Sequence, residues 1–145
     1  MDIIFFPIDE DVCDSLLYRA PELLRAQNIN EFSVTSLQKA DVYSFAIILY
    51  ELYGQKGPFG TVAMLPSQIL KKLICQKNNN ELIRPDLNVW NENWGDFIKV
   101  LLKDAWSENP YERPDFKVNE IKETLASNLE LLNNIVNWQL EKCFK

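Results

Sequence analysis

The chain carries 21 carboxylates and three cysteines but no histidine. That inventory closes several reaction classes at once. Ser-His-Asp and Cys-His nucleophiles both need an imidazole to take the proton of the attacking group. The cysteines, Cys13, Cys75 and Cys143, stand far apart and form no CxxC pair, so the close ligand spacing of a zinc site is missing too. The carboxylates are scattered, with no pair set apart for acid–base work, and read as solvated surface. Gly54, Gly57 and Gly60 are spaced G-x-x-G-x-x-G after an apolar run. A phosphate cradle follows a strand and opens a helix, so a tight-turned loop is the better reading. No catalytic residue, metal ligand or cofactor-binding residue is assigned, and no cofactor is expected.

Composition narrows the choice further. Hydrophobic residues make up 47% of the 145 and aromatics 12%, enough for a packed core and against disorder. Net charge is −6, and the 15 basic residues form no cluster, so nucleic-acid binding is disfavoured. Sparse cysteines in odd number suit reduced thiols in a cytosolic setting. The apolar start, Met1 to Ile8, lacks the basic flank of a signal peptide. No stretch approaches the ~20 apolar residues that span a bilayer.

The elements follow from periodicity and punctuation. Residues 1–17 read as irregular and 27–38 as loop, with a short helix from Pro21 to Ala26 between them. The run Asp41 to Tyr53 is interrupted after Asp41 only by Ser44 and Glu51. Its β-branched content would allow a strand; its length and lack of turn residues favour a helix capped by Gly54. A helix apolar all round must be buried on nearly every face, which makes this segment the hub. Further helices are expected from Pro66 to about Gln76 and from about Glu92 to Trp106. A fourth opens at Asp115 as N-cap and continues toward the C-terminus.

Four pieces then occur in a fixed order: Tyr18-Arg19-Ala20-Pro21-Glu22, Asp41-Val42-Tyr43-Ser44-Phe45, Gly57-Pro58-Phe59, and Trp106-Ser107-Glu108-Asn109-Pro110-Tyr111-Glu112-Arg113-Pro114. Together they resemble the C-lobe of the protein-kinase fold over roughly residues 15–126. Ala20-Pro21-Glu22 resembles the A-P-E motif that ends the activation segment. Asp41 to Glu51 resembles the buried central helix. Trp106 to Pro114 resembles the W-x-x-x-P-x-x-R-P segment before the last helix. The resemblance implies an all-α fold, the helical C-lobe of a protein kinase-like domain lacking the β-rich N-lobe. Residues 1–17 would be an irregular N-terminal segment, 18–126 the C-lobe, and 127–145 a helical extension.

The resemblance also implies residue roles. Glu22 would pair with Arg113, either to order a substrate loop or as a plain structural staple. Asp41 would open the hub helix, its carboxylate meeting the free N–H groups there. Ala20, Pro21, Glu22, Asp41, Trp106, Arg113 and Pro114 are thus assigned as structural motif residues. Kinase chemistry also needs a Gly-rich loop, a strand lysine, H-R-D and D-F-G. Asp96-Phe97-Ile98 and Asp115-Phe116-Lys117 are not D-F-G, and both lie on the wrong side of Ala20-Pro21-Glu22. No activity is therefore expected from this chain alone.

Within the superfamily, the tyrosine of Asp41-Val42-Tyr43 resembles both receptor guanylate cyclases and Raf-like kinases, while Gly57-Pro58-Phe59 and the extension from Asn128 to Trp138 look most like the kinase homology (pseudokinase) domain of receptor guanylate cyclases. Ala46 departs from the usual glycine, and Tyr18-Arg19 looks more like some Ser/Thr kinases. Apolar residues at 125, 129, 132, 136, 140 and 143 recur in steps of three and four. Leu125, Leu129, Leu132, Val136 and Leu140 are a candidate interface. The segment reads equally as the start of a dimerising linker or as a terminal helix docked on its own domain. The resulting expectation is a regulatory, catalytically inactive fragment of a receptor guanylate cyclase. Its parent would convert GTP to cyclic GMP at the plasma membrane, with this part on the cytosolic side. Its partners would be protein: the remainder of the kinase-like domain and a second copy through the C-terminal helix, with no nucleic acid and no membrane segment of its own. The alternatives are a C-lobe fragment of a tyrosine-kinase-like or Raf-like kinase and a free-standing helical interaction module.

Overall fold

In the computed structural model, the described residues are 10–54, 56–60, 62–75, 82–89 and 96–115. Among them every regular element is a helix or a 3-10 turn, and no strand occurs. Five α-helices follow one another: α1 (Glu10–Leu16), α2 (Pro21–Arg25), α3 (Val34–Gly54), α4 (Pro66–Cys75) and α5 (Asp96–Ala105). Short 3-10 turns cover Ile29–Glu31, Leu87–Val89 and Pro110–Glu112.

Helix α1 corrects the expectation that residues 1–17 are irregular. Its sequence is too short and too acidic to show helical periodicity, and tertiary packing decides it. Cys13 and Leu17, four residues apart, are both buried. They join Phe59 and the α4 residues Ile69, Leu70 and Leu73 in one core cluster. Pro21 opens α2 where an N–H would have no partner, and Ala20 leads in with extended backbone. Helix α4 begins as the Pro66-Ser67 signal predicts. Gln68 Oε1 accepts the Leu65 N–H at 2.9 Å, half of a capping box.

Helix α3 is longer than its apolar run and starts within the stretch read as loop. Ser33, not Asp41, caps it. Ser33 Oγ accepts the Ser36 N–H at 3.1 Å, and its carbonyl accepts the Leu37 N–H at 3.0 Å. Asp41 lies inside the helix and is exposed, so its expected role at the helix opening is overturned. Ser44 keeps its hydroxyl satisfied by donating back to the Ala40 carbonyl at 3.2 Å. The inward side of α3, including Tyr43, Ala46, Ile47 and Tyr50, is fully buried and packs against α5 and the Pro110–Glu112 turn. Ile98, Leu102 and Ala105 of α5 are buried at helical spacing. The expected first turn of α5, Glu92 to Gly95 with Trp94, and the expected helix beyond Asp115 lie outside the described residues.

The Gly57–Gly60 loop is a tight turn closed by the Gly60 N–H on the Gly57 carbonyl at 3.1 Å. It sends Phe59 into the core. Both glycines have positive φ, 80° and 69°. At Gly60 space is short as well: a Cβ would meet Tyr50 Oη at 2.6 Å, whereas nothing crowds Gly57. Gly57→Ala should therefore cost about 1 kcal/mol of strain and Gly60→Ala about 2–4 kcal/mol, read from urea melts. Equal costs would show that the Tyr50 contact does not matter. By the same measurement Ser33→Ala should cost about 1 kcal/mol, and Asp41→Ala less than about 0.5 kcal/mol.

Candidate functional site

Arg113 is the most deeply buried charge described, with its side chain fully out of solvent. A guanidinium has five N–H groups and no way to lose its charge, so it can be buried only where oxygens surround it. Three segments supply them. Glu22, in the first turn of α2, accepts from Nη1 and Nη2 at 2.7 and 2.8 Å in a bidentate fork. Nη1 also reaches the Lys39 carbonyl on α3 at 3.0 Å, and Nε the Ser107 carbonyl at 2.9 Å. Lys39 returns the contact: its Nζ donates to the Arg113 carbonyl at 2.5 Å and pairs with Asp115 at 2.6 Å.

A second layer is built on Glu108. One carboxylate oxygen takes Arg25 of α2 at 2.5 Å and the other takes Arg84 at 2.7 Å. Burial pushes the Glu108 carboxyl upward, but the two guanidiniums outweigh it and hold the group below the ordinary carboxylate value. Arg25 also donates from Nε and Nη2 to the Leu73 carbonyl near the end of α4, at 3.1 and 2.7 Å. Arg84 donates from Nε to the Trp106 carbonyl at 2.8 Å.

Tyr43 of α3 joins the layers. The Arg84 and Arg113 guanidiniums lie over its ring, at 5.5 and 5.2 Å from the centroid, which suits cation–π attraction. Its hydroxyl is buried and has no hydrogen-bond partner among the described residues. Burial pushes its pKa up to about 12, against the pull of the two arginines. A separate tie runs from Tyr18, whose hydroxyl donates to Glu51 Oε2 on α3 at 2.5 Å. Partial burial and the Glu51 carboxylate raise that phenol to about 12 as well.

The structure thus brings Glu22 and Arg113 together and buries Ala20, Pro21 and Trp106 around them. Pro114 is half-buried beside them, while Asp41 stands exposed on α3. Leu125, Leu129, Leu132, Val136 and Leu140 lie outside the described residues. Sequence reasoning did not single out Arg25, Lys39, Tyr43, Arg84 or Glu108 as members of this cluster. Arg84-Pro85 and Glu108 each sit in a turn-rich stretch whose signal is about backbone, and nothing local marks their side chains as partners. Chemically the cluster is a lock. Its cations each hold a carboxylate, a carbonyl or both, and among the described residues no group of His, Cys, Asp and Glu could hold a metal ion. An open depression of about 540 Å³ lies alongside, lined in part by Arg84, Lys103, Trp106 and Glu108.

A helical unit without strands among the described residues, with Glu22 clamped by Arg113 across 91 residues, is consistent with the C-lobe of the protein-kinase fold. Residues 10–125 match the model of the protein tyrosine and serine/threonine kinase family, and the chain belongs to that family. Within the superfamily it is similar to receptor guanylate cyclases. It is 39% identical over 132 residues to the receptor-type guanylate cyclase Gyc76C of Drosophila melanogaster, covering 86% of this chain and 8% of that protein. It is 37% identical over 102 residues to atrial natriuretic peptide receptor 2 of Rattus norvegicus, covering 69% of this chain and 9% of that one. Guanylyl cyclase C of Homo sapiens is 35% identical over 124 residues, covering 83% of this chain and 10% of that protein. The chain spans a tenth or less of the length of these relatives.

Two predictions test the lock. Glu22→Gln leaves the buried Arg113 without its countercharge and should cost about 3–5 kcal/mol, while Glu22→Gln with Arg113→Met should cost less than the sum of the two single changes by at least about 0.5 kcal/mol. Additive losses in denaturant melts would dissolve the coupling. Tyr43 gives a pH signature. Its phenol ionises near 10 in the unfolded chain but near 12 in the folded one, so below pH 10 it is neutral in both states, and as pH rises from 10 to 12 unfolding releases its proton and stability falls. The loss should reach about 2–3 kcal/mol. Tyr43→Phe should remove that part of the alkaline fall and leave stability at pH 7 unchanged within about 1 kcal/mol, because the hydroxyl it deletes has no hydrogen-bond partner among the described residues.

Proposed function

We propose that this chain is a regulatory, catalytically inactive kinase-homology part of a receptor guanylate cyclase. In that reading it lies on the cytosolic side of a plasma-membrane receptor that converts GTP to cyclic GMP. The observation that carries the reading is the 39% identity to a receptor-type guanylate cyclase across 86% of the chain. The lock supports it from the side of chemistry: its cations are spent on internal oxygens, which suits a scaffold that transmits position. None of the described helices is long and apolar enough to cross a membrane, which fits a part placed to one side of the bilayer.

The partner surface in this reading is the outer face of α3. Val34, Ile48 and Leu52 are 74%, 52% and 59% exposed. With the exposed Asp41 they fall on one side of the helix at near-heptad spacing. The remainder of the kinase-like domain would cover this stripe, and a second copy would be recruited through residues 125–140. The competing reading, a C-lobe piece of a phosphorylating kinase, draws on the family match itself. A nucleotide-cyclase domain in the coding sequence downstream would support the first. Intact H-R-D and D-F-G motifs upstream would support the second.

For the chain itself, calorimetric titration with ATP and Mg²⁺ should show no binding tighter than about 1 mM. Clear binding would defeat the claim of inactivity. The chain alone should also take up a hydrophobic dye, and Ile48→Lys with Leu52→Lys should lower the uptake without lowering the melting midpoint, since neither side chain is in the core. Dye uptake unchanged by the pair would remove α3 as the docking face.

A further inference from the structure

We draw no further inference here: the strongest candidate, the exposed apolar stripe of α3 through Val34, Ile48 and Leu52, belongs to the docking face already proposed for the rest of the kinase-like domain, and nothing in the structure shows what else covers it.

Discussion

A guanidinium removed from water loses several kcal/mol of solvation, and it cannot shed its charge to avoid the loss. Arg113 is placed where that cost is offset only if three separate segments arrive together. Glu22 must come from α2, the Lys39 carbonyl from α3, and the Ser107 carbonyl from the turn after α5. The need is partly mutual, because a part-buried carboxylate such as that of Glu22 is costly without a donor. The interaction is therefore a condition on the fold more than a source of its stability. Any register shift of α2 against α3 would strand a full charge in the interior, and shifted packings are excluded on that ground.

The surrounding residues extend the same logic outward. Lys39 lends its carbonyl to Arg113 and takes the Arg113 carbonyl with its own ammonium, so the two backbones hold each other at fixed separation. Glu108 ties Arg25 to Arg84, and through Arg25 it reaches the end of α4. The Tyr43 ring lies beneath both arginines and converts two ionic layers into one packed block. Such a block holds the segments it joins at fixed separation. Most of its donors meet internal oxygens, and the buried Tyr43 hydroxyl, which has no hydrogen-bond partner among the described residues, is raised toward pH 12 and stays protonated in the neutral range.

The parts of this arrangement legible in the sequence are those carried by fixed motifs or by strong periodicity. The pairing of Glu22 with Arg113 followed from a resemblance carried by short segments at the two ends of the lobe. The inward faces of α4 and α5 followed from apolar residues at helical spacing. Two features were hidden for physical reasons. Helix α1 has too few residues to show a period and exists because Cys13 and Leu17 find α4, a contact between positions far apart in the chain. The start of α3 was obscured because Val34 to Lys39 is mostly polar and mimics a loop. The cap is Ser33, while Asp41, which looked like a cap from its place before the apolar run, sits two turns inside the helix. An N-cap depends on where the backbone leaves the extended region, and a carboxylate before an apolar run does not fix that point.

Moving the start of α3 also changes what its apolar character means. A helix apolar on every side has no amphipathic direction of its own and must take its orientation from neighbours. The locked arginines supply one through Tyr43, and α5 supplies another through Ile98 and Leu102. Together they fix one side of α3 inward and leave Ile48 and Leu52 facing out. Had solvent been the permanent neighbour of that face, polar residues would satisfy it at no packing cost. In the proposed reading, the apolar side chains that the charged lock leaves on this outer side are where the rest of the kinase-like domain would pack. The lock and the exposed stripe are then two sides of one device, one fixing the helix and the other presenting it.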